Sequence, residues 1–249
     1  MATVDKAVAQ EAGASGSLSR FLIRLLMKRA TVTANEALGD RFRLVTLEGP
    51  GLRDMAWTPG QKIQIAMGSA FAARTYTPLT WNAVEGRTCI LGYAHGVGPG
   101  SDWLRAAVPG SSCDIFGPRA SLNMARPGGP LAIFGDETSF GLAYALGQRD
   151  EPAEAVTAVL EVGDIETSRS VAAQLQLQGC TLISRQPEGV HLSEFESKLP
   201  ALADTGATFI LTGRAGSIQR ARRTLKTLLV PSKRIRTKAH WTPGKTGLD

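Results

Sequence analysis

Between residues 30 and 119 apolar and polar positions alternate in short runs. The alternation is clearest in Lys62-Ile63-Gln64-Ile65, where every second side chain is apolar. A period of two puts successive side chains on opposite faces, the pattern of a strand buried on one side. The runs fall at 31–34, 41–48, 61–67, 74–81, 87–94 and 113–117, and Gly49-Pro50-Gly51 and Pro59-Gly60 mark turns. Six short strands with no long helix between them predict a six-stranded antiparallel barrel. After residue 130 the pattern changes. Apolar runs at 131–134, 156–162, 181–184 and 209–212 alternate with helix-period segments at 139–148, 166–178 and 216–229. A last strand is expected over 234–241. Strands alternating with helices predict βαβ units and a doubly wound parallel sheet.

Ala125-Arg126-Pro127-Gly128-Gly129-Pro130 reads as a linker between the two patterns. The expected units are therefore a barrel with an N-terminal helix over 18–125 and an α/β domain with a C-terminal tail over 126–249. The helix is expected at 18–29. Leu18, Phe21, Leu22, Leu25 and Leu26 share one face, and Arg20, Arg24, Lys28 and Arg29 lie elsewhere. Its reading is a cap on the barrel, with a membrane-surface or partner-binding role as the sharper alternative because the polar face is basic. The first 17 residues are small and polar and are expected to be disordered.

Composition narrows the function classes. A hydrophobic content of 43% over 249 residues is ordinary for a globular protein. The net charge of +6 attracts anions. The basic residues are scattered and form no nucleic-acid module, so the charge suits phosphate-bearing cofactors and an anionic substrate better than nucleic acid. No apolar run approaches the roughly 20 residues that span a bilayer. The start lacks the pattern of a signal peptide. A cytoplasmic protein with no stable membrane insertion is expected. Cys89, Cys113 and Cys180 are far apart, and no C-x-x-C is present to hold an iron–sulfur cluster. His95, His191 and His240 lack metal-ligand spacing, so no metal is expected.

Two words in the barrel half carry candidate chemistry. Arg74-Thr75-Tyr76-Thr77 ends one strand pattern and offers a cation, an aromatic face and a hydroxyl. These are what a flavin needs for its phosphate, its flat ring and a ring nitrogen. His95-Gly96-Val97-Gly98-Pro99-Gly100-Ser101 follows the next strand. Its glycines permit close backbone approach, and a short helix over 101–108 would point N–H groups at a pyrophosphate.

With Asp102-Trp103, Phe116-Gly117-Pro118-Arg119, Gly135-Asp136-Glu137-Thr138 and Trp241-Thr242-Pro243-Gly244-Lys245, these words resemble the siderophore-interacting proteins. These are FAD-dependent ferric-siderophore reductases of the ferredoxin-reductase superfamily. The resemblance spans most of residues 30–249. It implies FAD on Arg74, Tyr76, Thr77, His95, Gly96, Gly98, Pro99, Gly100 and Ser101, a nicotinamide nucleotide on the α/β domain, and a ferric siderophore as substrate. A ferredoxin is a possible electron donor. Two alternatives stay open: another flavin or ferredoxin-coupled oxidoreductase of the superfamily, and a siderophore- or flavin-binding protein without turnover.

Asp136 and Glu137 would repel a phosphate, so Gly135-Asp136-Glu137-Thr138 is either an acidic helix start or, as the resemblance implies, a word facing the flavin–nicotinamide junction, with Thr138 near the nicotinamide. Ser184 and Arg185 follow the third strand of the parallel sheet and could grip an adenosine 2′-phosphate, which favours NADPH. Glu161 and Asp164 after the second strand keep NADH open, because a carboxylate accepts from ribose hydroxyls. Arg214 stands where the family has an acidic residue. Lys238 and Lys245, flanking His240 and Trp241, are candidates for attracting an anionic ferric chelate. No general acid, base or nucleophile is expected.

Overall fold

The structure is a computed structural model that describes residues 26–67, 73–122, 129–149 and 155–244. Two sheets organise it. The first has seven antiparallel strands: β1 (Lys28–Leu38), β2 (Phe42–Glu48), β3 (Lys62–Ala66), β4 (Ala73–Tyr76), β5 (Pro78–Asn82), β6 (Arg87–Tyr93) and β7 (Ser112–Arg119). Their order is β4-β3-β7-β1-β2-β6-β5. The single run expected at 74–81 breaks in two at Thr77-Pro78, because proline has no N–H for a ladder. The edge strands β4 and β5 are thus one residue apart in the chain yet at opposite ends of the sheet. Only a curled sheet can satisfy both, so the strands roll into the expected barrel with seven members. Ile63 and Ile65 are fully buried, as the alternation predicts, and pack with Val45, Leu47, Ile90 and Ile115.

The expected helix at 18–29 meets the structure only at its end, since residues 18–25 lie outside the described residues. Lys28 and Arg29 are not helical. They open β1, where Lys28 pairs with Ile115 and Arg29 with Asp114. Ladder pairing with β7 overrides the helical spacing there. The first 17 residues, expected to be disordered, and residues 125–128 of the expected linker also lie outside the described residues.

The second sheet is wholly parallel, in the order β10-β9-β8-β11-β12. Its strands are β8 (Leu131–Asp136), β9 (Val156–Val162), β10 (Cys180–Ser184), β11 (Thr208–Arg214) and β12 (Ile235–Trp241). Helix α1 (Pro99–Ala106) belongs to the barrel. In the parallel unit the helices are α2 (Phe140–Gly147), α3 (Ile165–Gln174), α4 (Leu192–Ser197), α5 (Leu199–Asp204) and α6 (Ala215–Thr227). Side chains of the inner strands alternate between two cores. Ile133 and Ile210 face one, and Phe134, Phe209 and Leu211 face the other. A sheet covered on both faces explains why its strands read as continuous apolar runs.

The first of those cores extends into the barrel. Phe42, Leu79 and Leu91 pack with Phe140, Leu142 and Leu146 of α2. The Phe42 and Phe140 rings meet edge-on at 5.4 Å. Helix α2 is apolar on nearly every side because it is enclosed by its own sheet and by the barrel. Among the described residues no helix is long and apolar enough to cross a membrane.

Candidate functional site

The barrel and the parallel sheet face each other across a cleft. One wall is Arg74-Thr75-Tyr76-Thr77 together with the turn from Val97 to Ser101. Tyr93 and His95, two residues apart, also line it. The other wall brings Thr138, Gly141, His240 and Trp241. Of the residues predicted from sequence, the structure gathers Arg74, Tyr76, Thr77, His95, Gly98, Pro99, Gly100, Ser101 and Thr138 here.

Local chemistry shapes the barrel wall. Gly96 and Gly98 have φ of +156° and +148°, a region open to glycine, and a Cβ on either would point into empty space. Gly98 caps α1, and Pro99 takes the first helical position, where no N–H is needed. The next N–H groups, of Gly100 and Ser101, have no partner within the helix. A Cβ on Gly100 would lie 2.9 Å from Arg74 Cγ. This glycine lets the helix start close on the arginine. The Arg74 guanidinium donates to its neighbour's carbonyl, Ala73 O, at 2.8 Å. Thr75 lines the cleft, and its Oγ1 is buried with no hydrogen-bond partner. Burial, followed by the charge of Arg74, lowers the His95 imidazole below its ordinary value.

An FAD fits this wall. A cation, two unpaired N–H groups at a helix start, an unsatisfied buried hydroxyl and a tyrosine face are the donor set that a pyrophosphate and a flat polar ring require.

The parallel-sheet wall is held by its first acidic residue. Asp136 is fully buried and does not line the cleft. Its carboxylate accepts from the Thr138 N–H at 2.9 Å, the Thr138 hydroxyl at 2.5 Å and Trp241 Nε1 at 2.7 Å. Burial pushes it up to about 6 against these hydrogen bonds. Gly213 makes room for it. A Cβ there would lie 2.4 Å from Asp136 Oδ2, and its φ of +88° disfavours any side chain. Asp136 therefore orients Thr138 and Trp241 and does not itself reach a ligand. Trp241 stacks on His95 from the opposite wall at 5.9 Å and 15°. The Arg185 and Arg214 guanidinium groups lie 5.9 and 6.0 Å from its ring.

Arg185 has partners the sequence did not show. It forms a two-pronged pair with Glu137, at 2.7 and 3.2 Å, and donates to Glu161 O at 3.1 Å. Burial alone would lower this guanidinium, but hydrogen bonding and charge from Glu137 outweigh it. Glu137 also accepts from Gly163 N at 2.7 Å and from the Tyr93 hydroxyl at 3.3 Å. Glu161 is wholly buried, bonded to His191 and Ser217. Gln186 N donates to His191 Nδ1, so Nε2 carries the proton to Glu161. Glu161 is thus closed to a ribose. Asp164 is exposed and caps α3 through Thr167. Ser184 is exposed at the end of β10.

Lys238 does not line the cleft, but its charge and that of Lys62 reach His240 and, after burial, help push its imidazole down to about 4. Lys245 lies outside the described residues. Among the described residues no group of three or more His, Cys, Asp or Glu could hold a metal ion. The sequence places Thr75 inside the 74–77 word and His240 and Trp241 inside the candidate C-terminal run without giving them roles of their own, and it does not point to Tyr93. The signal available for Tyr93 was its spacing of two from His95, which puts both on one face of the chain.

Residues 69–122, which carry the barrel wall, match the model of the siderophore-interacting FAD-binding domain. The whole fold agrees with solved structures. A siderophore-interacting protein, SipS from Aeromonas hydrophila, is 22% identical with a TM-score of 0.73, covering 88% of this chain and 93% of that one. A siderophore utilization protein from T. fusca is 21% identical with a TM-score of 0.68, covering 90% and 95%. The ferredoxin reductase of carbazole 1,9a-dioxygenase is 17% identical with a TM-score of 0.68, covering 86% and 69%. No curated protein matches the chain. These likenesses show a shared fold, and residues 69–122 carry the resemblance to an FAD-binding domain.

Proposed function

We propose that the chain is an NAD(P)H-dependent, FAD-containing reductase of ferric siderophores that releases iron as Fe(II). The observation that carries this reading is the cleft in which Arg74–Thr77 and the turn to Ser101 oppose Thr138 and Trp241. In this reading the barrel holds FAD and the parallel-sheet unit takes the nucleotide. Arg74 and the N–H groups of Gly100 and Ser101 bind pyrophosphate. Tyr76 covers the ring, and the hydroxyl of Thr77 bonds near its reactive nitrogen. His95, Gly96, Gly98 and Pro99 shape the turn. Bound FAD supplies acceptance of hydride from a nicotinamide and delivery of single electrons to ferric iron. The protein positions its partners and excludes water, and no proteinaceous acid, base or metal ligand is required. Hard oxygen chelators hold Fe(II) less tightly than Fe(III), so reduction frees the metal.

Thr138 faces the nicotinamide, and Ser184 at the end of β10 is open to the adenosine ribose or its phosphate. Arg185 would have to leave Glu137 to reach a 2′-phosphate, which weakens its role in selecting NADPH and leaves NADH equally open. Lys238 and Lys245 attract the anionic chelate. The test is Fe(II) trapping under anaerobic conditions. Ferrous iron should form only when protein, FAD, NADPH or NADH, and a ferric siderophore are all present. If neither nucleotide supports it but a reduced ferredoxin does, the donor assignment is wrong. No Fe(II) with either donor sinks the reductase reading.

A further inference from the structure

A chain of hydrogen bonds on the parallel-sheet wall fixes which imidazole nitrogen His240 presents to the cleft. Asp136 Oδ1 accepts from the Thr138 hydroxyl at 2.5 Å. A threonine hydroxyl has a single hydrogen. Since the carboxylate takes it, the other neighbour of Thr138 Oγ1 must be a donor. That neighbour is His240 Nδ1, at 2.8 Å. The proton of the neutral ring is therefore on Nδ1, and Nε2 is bare. Burial and the charges of Lys238 and Lys62 keep the ring neutral. Nε2 makes no hydrogen bond among the described residues, and His240 borders the cleft. The wall facing the ring-binding strand thus carries a pre-set acceptor with nothing to accept from.

We propose that His240 Nε2 accepts a hydrogen bond from an amide-type N–H of the flat ring ligand in the cleft, and that Asp136 and Thr138 are positioning residues that hold His240 in this tautomer. The inference rests on the reading that the cleft takes FAD and a nicotinamide nucleotide. Two groups offer the required N–H: the imide of the flavin and the carboxamide of the nicotinamide. Asp136 is doubly constrained, since Trp241 Nε1 occupies its other oxygen at 2.7 Å. It has no freedom to turn away and release Thr138.

The test uses FAD-loaded protein with 15N-labelled imidazoles. The wild-type spectrum should show His240 with a protonated Nδ1 and a bare Nε2. Thr138→Val should release the ring to the other tautomer, and Thr138→Ser should restore it, which a merely structural role for Thr138 would not do. In parallel, His240→Phe keeps the ring volume and removes the acceptor. Loss of one hydrogen bond should weaken binding by about tenfold. If the loss is in FAD affinity for the apoprotein, the flavin imide is the partner. If it is in NADP+ or NAD+ affinity for the loaded protein, the carboxamide is. A protonated Nε2 in the wild type overturns the inference. So does a His240→Phe protein whose two affinities both match a wild type that binds both ligands, while the cleft reading survives. A wild type that binds neither ligand overturns the cleft reading itself and the acceptor role with it.

Discussion

Arg74 and Gly100 depend on each other. The absence of a side chain at 100 lets the start of α1 close to within a Cβ's reach of the arginine, so one cation and two helix N–H groups converge. A charge-assisted hydrogen bond contributes roughly 1.5–3 kcal/mol. Arg74→Ala should therefore lower FAD affinity by about one to two decades, measured by flavin fluorescence titration of folded apoprotein. Unchanged affinity would remove Arg74 from the site. His240 makes a different kind of claim at this scale. Its folded value of about 4 lies below the ordinary 6.5. The stability contributed by keeping it neutral is complete above about 6.5 and is lost as pH falls through about 4. Asp136, raised from 3.8 to about 6, has the opposite sign: its contribution is complete below 3.8 and lost as pH rises through about 6. Comparing wild type with His240→Gln leaves Asp136 common to both. From pH 7 to pH 4.5 the urea midpoint of the wild type should fall further than that of the variant. Parallel losses would show that His240 is not held neutral by the fold.

Among the elements, the carboxyl edge of the parallel sheet is tied by charge across strands. Glu137 follows β8, Gly163 follows β9 and Arg185 follows β10, and all three meet. The Glu137 side chain is 2% exposed. Removing its partner leaves an uncompensated buried carboxylate, at a cost of about 3–5 kcal/mol. Arg185→Ala should lose roughly that much stability in chemical denaturation, and adding Glu137→Gln should recover at least half. If Arg185→Ala instead keeps full stability and only weakens NADPH, the guanidinium serves the nucleotide. The elements themselves were largely legible. Alternation marked the barrel strands, and the change of period at 131 marked the parallel sheet. Three things were hidden, each for a physical reason. Pro78 divides one apolar run without altering its hydrophobicity. Helices α4 and α5 are six residues each, with Pro200 in the first turn of the second, too short to show a period. The Arg185–Glu137 pair joins residues 48 apart, and no local pattern reports it. The lining of the cleft was legible where it lies on consecutive residues, as in 74–77 and 97–101. It was not legible where the fold brings a wall from β12, because His240 and Trp241 gain their roles only by approaching Thr138 and His95.

The whole molecule joins two sheets through an apolar seam at Phe42 and Phe140 and leaves the cleft beside that seam. This places the barrel wall of the cleft against the carboxyl end of the parallel sheet, where ligands of such sheets bind. The net charge of +6 adds long-range attraction for anions, screened over roughly 8 Å at physiological salt. Lys238→Gln should slow reduction of an anionic ferric chelate mainly at low salt, and leave a neutral acceptor unaffected. Parallel slowing of both acceptors would deny the lysine a steering role. The central claim is that one cleft passes reducing equivalents from nicotinamide to ferric chelate through FAD. Its most direct test is the visible spectrum of the purified, FAD-loaded protein, followed anaerobically through two additions. NADPH or NADH should bleach the yellow absorbance, and a ferric siderophore should then restore it as Fe(II) appears. A flavin that bleaches but stays bleached after the ferric siderophore is added would contradict the account.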